Sequence, residues 1–459
     1  MTLIKSISGI RGTIGGQAGH GLTPPDAVAF ASAYAQFIKS RSGKARPKVV
    51  IGRDARPSGP MIQELVSSTL LMCGVDVLNA GLSTTPTVEM GVVFEQADGG
   101  IILTASHNPV EWNALKLLNE KGEFLSAEDG EGILAAAASG ETHFAEVHAL
   151  GNLYMLNDLL DQHINSILKL PYVNREAIAK AGFKVSVDAV NSSGGFAIPA
   201  MLRALGVNEI HELYCEPNGQ FPHNPEPLEA HLGDIMNLTK NKGCDLGIVV
   251  DPDVDRLALI TNEGKMFGEE YTLVACADYL LNHKPGSTVS NLSSSRALRD
   301  LTRAKGQTYT AAAVGEVNVV AEMKSTGAVI GGEGNGGVIL PDLHYGRDAL
   351  VGVALILSHL ATSGKTLSEL KAAYPAYSML KEKIDLHPGL DVDALLLKVA
   401  QAFGSEEVST IDGVKVDFAQ GWVHLRKSNT EPILRVYAEG ESAEIAKELV
   451  ERMRKVILS

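Results

Sequence analysis

Apolar and polar positions along the chain fall into two alternating rhythms. Short apolar runs of strand length appear at Lys48-Val-Val-Ile-Gly-Arg-Asp54, Phe183-Lys-Val-Ser-Val-Asp188 and Ser287-Thr-Val-Ser-Asn-Leu292. Each leads into a polar loop, such as Arg56-Pro-Ser-Gly59 or Asn191-Ser-Ser-Gly-Gly195, and then into a stretch with helical apolar spacing. Further along each unit a second run ends in a loop of unusual composition: Gly100-Ile-Ile-Leu-Thr-Ala-Ser106, Leu246-Gly-Ile-Val-Val-Asp251 and Ala328-Val-Ile-Gly-Gly-Glu333. Strands alternating with helices predict βαβ units with mixed or parallel sheets, and ligands collect at the carboxyl ends of such strands. The pattern predicts three similar α/β domains, residues 1–150, 151–254 and 255–374, with boundaries near Gly151, Asp255 and Pro375. The alternative is coincidence among generic strand–turn–helix units.

The last stretch, 375–459, has a different rhythm. Trp422-Val-His-Leu-Arg426 and Ile433-Leu-Arg-Val-Tyr437 alternate like strands of a half-exposed sheet, and helices are predicted over Asp391 to Phe403 and from Ser442 to Ile457. This predicts a smaller α+β domain, hinged near Tyr374-Pro375.

Composition narrows the function classes. Across 459 residues, 45% hydrophobic and 20% charged residues leave ample core for several domains. A formal net charge of −14 and 5% aromatic residues argue against nucleic acid or an anionic membrane as partner. Small anionic substrates stay compatible wherever Arg and Lys cluster locally. Four scattered cysteines, with no C-x-x-C pair, imply neither a zinc site of that type nor a disulfide framework. The N-terminus lacks a secretory pattern and no apolar run reaches spanning length, so a soluble cytoplasmic protein is expected.

Asp251-Pro-Asp253-Val-Asp255-Arg256 carries the strongest chemical signal. Carboxylates this close resist joint ionisation unless a cation sits between them, and Mg²⁺ prefers such oxygen ligands. An EF-hand loop begins with the same spacing but needs Gly and Glu where this chain has Arg256 and Asn262. A polar turn capped by its own aspartates is the remaining alternative. Arg256 beside a carboxylate site suggests a phosphate ligand.

Three further loops carry candidate chemistry. Thr104-Ala-Ser106-His107-Asn108-Pro109 places a serine at a strand end, either a nucleophile or phosphate carrier or simply a Ser turn closed by proline. A Ser–His hydrolase is disfavoured by the missing G-x-S-x-G elbow and by chain adjacency, which places His107 poorly for taking its neighbour's proton. Lys116 suits acid/base work if its pKa is depressed. Gly331-Gly-Glu333-Gly-Asn335-Gly-Gly337 offers Glu333 and Asn335 to hydroxyl or amino groups and lacks the Lys-Ser/Thr of a P-loop. Arg426-Lys-Ser428-Asn429-Thr430-Glu-Pro432, with Arg435 beyond, is a set of donors able to envelop a phosphate, or else a polar hairpin turn. Arg11 lies in the Gly-bracketed turn Ser8-Gly-Ile-Arg11-Gly12.

Taken in order, these loops resemble the α-D-phosphohexomutase family over essentially the whole chain. The resemblance rests on Thr104 to Pro109, Asp251 to Arg256 and Arg426 to Pro432, supported by Gly9 to Gly12, Gly52 to Gly59 and Asn113 to Lys116. It implies four domains around a central cleft, each contributing one loop. It also implies phosphoryl transfer between the 1- and 6-positions of a hexose phosphate, with Ser106 as phosphoryl carrier and a hexose 1,6-bisphosphate as intermediate. Mg²⁺ is then held by Asp251, Asp253, Asp255 and the Ser106 phosphate, while Arg256 neutralises developing charge. Lys116 and Arg11 become acid/base partners or their electrostatic support. Glu333 binds sugar hydroxyls, and Arg426, Ser428, Asn429 and Thr430 hold the non-reacting phosphate. The bisphosphosugar must turn over between half-reactions, which suits a hinged fourth domain.

The sugar loop departs from the common family pattern Gly-Glu-Met/Gln-Ser-Gly-His. Asn335 stands at its Ser position and Gly337 at its His position. The variant looks most like the archaeal-type branch, so glucosamine phosphate is the expected substrate, with mannose or glucose phosphate as the alternative. A sugar-phosphate phosphatase and a non-catalytic bisphosphate binder are the readings from other classes. The protein is expected to act as a monomer or homodimer, without nucleic acid or membrane partners.

Overall fold

The computed structural model describes residues 2–6, 9–385, 391–427 and 433–458. The six apolar runs form the parallel cores of three sheets. In each, a central strand (Lys48–Arg53, Lys184–Asp188 or Thr288–Asn291) lies between two parallel neighbours. On one side these are Asp76–Leu82, Glu209–Leu213 and Tyr309–Ala312; on the other, Gly99–Leu103, Leu246–Val250 and Ile330–Glu333. An antiparallel strand then follows the second neighbour: Trp112–Leu118, Leu257–Thr261 or Gly337–Ile339. The three units therefore share one topology, and the mixed sheets are as expected. Helices cover both faces, which is why a strand such as Leu246–Val250 is buried at every position and reads as a continuous apolar run.

The first sheet extends to seven strands, gaining Gly9–Thr13 and Ile4–Ser6 at one edge and Leu153–Met155 at the other. The second and third sheets each have four strands. They share one continuous core, joining Val187 and Ile248 to Ile330, Val338 and Leu355. The helix Ala349–Ser363 runs through it, apolar along nearly its whole length. Asp348 caps its start by accepting from the Leu350 and Val351 N–H groups, and Gly364 ends it at φ 67°, a left-handed conformation that glycine adopts without strain.

The fourth unit is a five-stranded antiparallel sheet with its own core, packed on one face by the helices Val392–Ala402 and Ala443–Leu458. Asp391 and Ser442 cap these helices, accepting from the Ala394 and Ile445 N–H groups. The expectation of a half-exposed sheet is corrected: Gly421 to Leu425 are all buried. The face expected to meet water lies against the third unit. There the buried Arg296 donates to Asp417 Oδ1 at 2.9 Å, the Phe418 carbonyl at 3.1 Å and the Gly421 carbonyl at 2.8 Å. Glu439 Oε1 accepts from the Arg296 N–H and from Trp422 Nε1, which fixes Trp422 in the interface. Tyr271 clasps the connection between the two units: its hydroxyl donates to the Pro375 carbonyl at 2.7 Å and accepts the Tyr377 N–H at 3.0 Å. Among the described residues, no helix is long and apolar enough to cross a membrane.

Candidate active site

The repeated topology aims the special loops at one place. In each α/β unit the loop of interest joins the last parallel strand to its antiparallel partner, so all three lie at carboxyl ends of strands. They meet in a cleft of about 250 Å³, lined by His107, Arg256, Glu333, Asn335, Arg426 and Arg435, among others.

The serine loop is held from beneath. Arg56, with no exposed surface, donates to the carbonyls of Ser106 and Asn108 at 2.6 Å, Pro109 at 2.5 Å and Trp112 at 2.9 Å. Its Nε pairs with Asp54 Oδ2 at 3.0 Å, and Asp54 also accepts the Thr104 hydroxyl. So many charge-assisted bonds to the carbonyls of one loop hold it in one conformation. Ser106 is held at φ 49°, in the left-handed region that a non-glycine residue rarely adopts. Its Oγ donates to Asp251 Oδ2 at 2.8 Å. The turn also brings His107 Nδ1 to 3.4 Å from Ser106 Oγ, so adjacency does not keep the imidazole away as the chain alone suggested. Burial, then the charges of Arg256, Arg11 and Arg347, hold His107 well below its usual pKa and therefore uncharged near neutrality.

Asp251, Asp253 and Asp255 have no exposed surface, and one oxygen from each lies within 4.8 Å of the others. Val254, between them, takes φ 64°, unusual for a β-branched residue. Burial, followed by the charges of Asp255 and Asp253, pushes Asp251 well above the carboxylate range. Burial also acts to raise Asp253, but Lys116 Nζ at 2.7 Å outweighs it and holds that carboxyl low. Thr85 adds a hydroxyl donated to Asp253 Oδ2 at 2.6 Å. Asp253 Oδ1 and Asp255 Oδ1 are buried without hydrogen-bond partners. Orphaned anionic oxygens carry a large desolvation cost, and a hard divalent cation is the group that relieves it, so the residues fit a Mg²⁺-type ion.

Lys116 is buried, and its pKa is raised, not depressed: burial opposes the charge, but Asp253 and then Asp255 overcome it. In this arrangement it is an ammonium rather than a ready base. Arg11, on the strand Gly9–Thr13, pairs in register with Ala114. Burial and the Arg256 charge lower its pKa, while Asp253 opposes them.

Glu333 ends its strand facing Gly337 across a tight hairpin. Its Oε1 accepts from Asn291 Nδ2 at 2.8 Å and the Gly315 N–H at 3.1 Å. Asn335 Oδ1 accepts the Gly337 N–H, which closes the turn. At Gly334 a Cβ would stand 1.9 Å from Glu270 Oε2, so only glycine fits beneath that carboxylate.

The fourth wall carries Arg426 and Arg435, directly paired across adjacent strands. Arg426 Nε also engages Asp412, at 2.8 Å from Oδ2. Like charges opposite one another are destabilising, and an anion between them removes the conflict. Ser428, Asn429 and Thr430, expected in the phosphate loop, lie outside the described residues.

One residue central to the site went unnoticed in the sequence. Arg347, buried, donates to Asp255 Oδ2 at 2.7 Å, Glu316 Oε2 at 2.9 Å and Glu333 Oε2 at 2.9 Å, joining the acidic loop to the Glu333 loop. Its signal was faint: the charged pair Arg347-Asp348 immediately before a wholly apolar helical stretch.

Fold and site together define a multidomain α/β enzyme whose cleft opposes an acidic, metal-binding type of cluster to a pair of arginines. Models of the phosphoglucomutase/phosphomannomutase family match nearly end to end: alpha/beta/alpha domain I over residues 3–143, domain II over 161–264, domain III over 268–377 and the C-terminal domain over 379–456. A phosphoglucomutase/phosphomannomutase from Thermococcus kodakarensis is 36% identical over 446 residues, 96% of each chain. A phosphoglucosamine/phosphogalactosamine mutase from Sulfurisphaera tokodaii is 31% identical over 456 residues, 98% of each. The crystal structure of a phosphoglucomutase/phosphomannomutase family protein from Burkholderia thailandensis superposes with a TM-score of 0.83 at 25% identity, covering 100% of this chain and 98% of that one. The chain belongs to this family, the α-D-phosphohexomutases, and is a phosphohexomutase.

Proposed function

We propose that the enzyme interconverts glucosamine 6-phosphate and glucosamine 1-phosphate through a phosphorylated Ser106. The observation that carries the reading is Ser106 Oγ at 2.8 Å from Asp251 Oδ2, beside two orphaned carboxylate oxygens and across the cleft from Arg426 and Arg435. Bound by Asp251, Asp253, Asp255 and the Ser106 phosphate, Mg²⁺ supplies the positive charge that phosphoryl transfer requires. Arg426 and Arg435, with Ser428, Asn429 and Thr430, hold the non-reacting phosphate and so aim the opposite hydroxyl at Ser106. The phosphoryl group passes from Ser106 Oγ to that hydroxyl, whose proton is taken by the uncharged His107 and returned to the freed serine. Lys116, Arg11 and Arg256 keep positive charge around the transferring group. The resulting hexose 1,6-bisphosphate turns over, and the second half-reaction restores the phosphoserine.

Glucosamine is favoured by the carboxylates Glu226 and Glu333 lining the cleft, with the Asn335 amide beside them. These acceptors suit an ammonium at C2 better than a hydroxyl. The Thermococcus relative's name supports glucose and mannose phosphates as the second reading. Coupled assays on glucosamine, glucose and mannose phosphates separate the two, and clear preference for glucose or mannose rejects the first. Intact-mass measurement after incubation with a hexose 1,6-bisphosphate tests the carrier. A mass increase of one phosphate that disappears in Ser106→Ala supports it, and an unmodified wild-type chain refutes it.

A further inference from the structure

Away from the cleft, three domains meet at a buried group of histidines and carboxylates that the transfer chemistry does not use. His163 comes from the helix Leu159–Leu168, Thr87 and Glu89 from the helix Thr85–Phe94, and His344 and Asp348 from the segment entering the helix Ala349–Ser363. Asp348 Oδ2 is the point of convergence: His163 Nε2 stands 2.9 Å from it and His344 Nε2 3.4 Å. The two imidazoles meet at 89°. Asp348 Oδ1 is committed to capping the helix, which leaves Oδ2 for the histidines.

We propose that His163, His344 and Asp348 form a zinc-type metal site that ties the first three domains together. One atom from each lies within 4.8 Å of the others. Tetrahedral ligands with bonds of about 2.1 Å stand roughly 3.4 Å apart, so small side-chain adjustments suffice. The surrounding groups match what a ligating histidine needs, a partner on its second ring nitrogen. His163 Nδ1 lies 3.0 Å from the Thr87 hydroxyl, and His344 Nδ1 lies 3.3 Å from Glu89 Oε2. Glu89 is the independent indication. Its side chain is 1% exposed, and its contact with His344 Nδ1 at 3.3 Å falls short of an aligned hydrogen bond, so this buried carboxyl is poorly satisfied. Gly346 leaves the room it occupies, since a Cβ there would fall 1.9 Å from Glu89 Oε2. A divalent ion on His344 Nε2 strengthens the Nδ1–H as a donor to Glu89 and so fixes the imidazole. No residue is shared with the Asp251 cluster, although Arg347 and Asp348, adjacent in the chain, serve one site each.

Metal content of the full-length enzyme tests the site. After stripping with chelator, the protein is loaded with Zn²⁺ and dialysed against excess Mg²⁺ to keep the oxygen-rich aspartate cluster out of the measurement. One retained zinc per chain is expected, together with the visible absorption of a four-coordinate, nitrogen-ligated ion when Co²⁺ is substituted. Asp251→Asn should keep both signals, His163→Gln and His344→Gln should lose them, and Glu89→Gln should weaken zinc binding about 10-fold or more. Zinc no higher than background in the wild-type enzyme overturns the proposal, as does binding that survives both histidine substitutions. Where a variant does not fold, the wild-type zinc content and Co²⁺ spectrum decide alone.

Discussion

Arg347 Nη2 lies 2.7 Å from Asp255 Oδ2, and this single ion pair joins the acidic loop of the second domain to the core of the third. The same guanidinium serves Glu316 and Glu333. Burial opposes its charge, but Asp255, then Glu316 and Glu333, raise its pKa well above the ordinary value. Replacing it by Met leaves the buried Glu316 and Glu333 without their counter-ion and Asp255 with only the longer contacts to Lys116 and Arg256, which should cost about 3–5 kcal/mol of stability. Urea unfolding of Arg347→Met checks this. Mg²⁺ should recover part of the loss by neutralising Asp255, and an unchanged unfolding free energy would show that the carboxylates are satisfied without Arg347.

Metal and serine should separate cleanly. Mg²⁺ bound to the folded state at a hundred times its Kd adds about 2.7 kcal/mol of stability. Thermal melting should therefore show a Mg²⁺-dependent rise in Tm for the wild-type enzyme and none for Asp253→Asn. Ser106→Ala should keep much of the Tm response, because three carboxylates remain, yet lose transfer by about 10³-fold or more. A variant that keeps turnover rules out Ser106 as carrier.

How much of this was legible follows from where each signal is stored. Ser106, His107 and the aspartates lie in contiguous loops at strand ends, so local composition was enough to find them. The three-fold topology was legible for the same reason, each unit repeating one order of strand and loop. Arg347 and Glu316 were not, because they meet Asp255 and Glu333 only through the packing of separate elements. The sheet carrying Trp422 was read as half exposed because alternation reports one apolar face and cannot show that another domain covers the second. Lys116 had an identity but no environment, and its two aspartate neighbours raise the pKa that a base would need lowered.

The Tyr271 hydroxyl makes two hydrogen bonds across the connection to the fourth domain. Tyr271→Phe removes both at a net cost of about 1 kcal/mol each, without opening a cavity. Amide exchange in the strand Ser378–Asp385 should accelerate by up to about 30-fold while the first three domains keep their protection. Unchanged exchange there would mean that the Arg296 interface alone holds the domain.

Glu270 gives the protein a pH signature. Burial raises its pKa to about 8, against the pull of Lys381 and the Ser295 N–H. The folded state then binds a proton that the unfolded state releases near its ordinary value of about 4.5. Stability contributed by this group is therefore present below pH about 4.5 and is lost as pH rises towards about 8, by an amount on the order of a few kcal/mol. Melting curves across that window should show a steeper decline for wild type than for Glu270→Gln. Parallel profiles would show that Glu270 ionises freely where it stands.

Arg426 and Arg435 predict effects of opposite sign on stability and on binding. They face each other across neighbouring strands, where like charges are unfavourable by roughly 0.2–1 kcal/mol. Among the described residues, only Arg426 of the two has a nearby carboxylate partner, Asp412 at 2.8 Å. Arg435→Gln should relieve the repulsion, so the ligand-free protein should melt at the same temperature or slightly higher. The same change removes a charge-assisted contact to the non-reacting phosphate, worth about 1.5–3 kcal/mol. KM for the phosphosugar should then rise at least about 10-fold, and the Tm increase on adding inorganic phosphate should shrink. Calorimetry and steady-state kinetics on one preparation check both signs. A variant less stable without ligand and unchanged in KM would make Arg435 a structural residue and move the phosphate elsewhere on the wall.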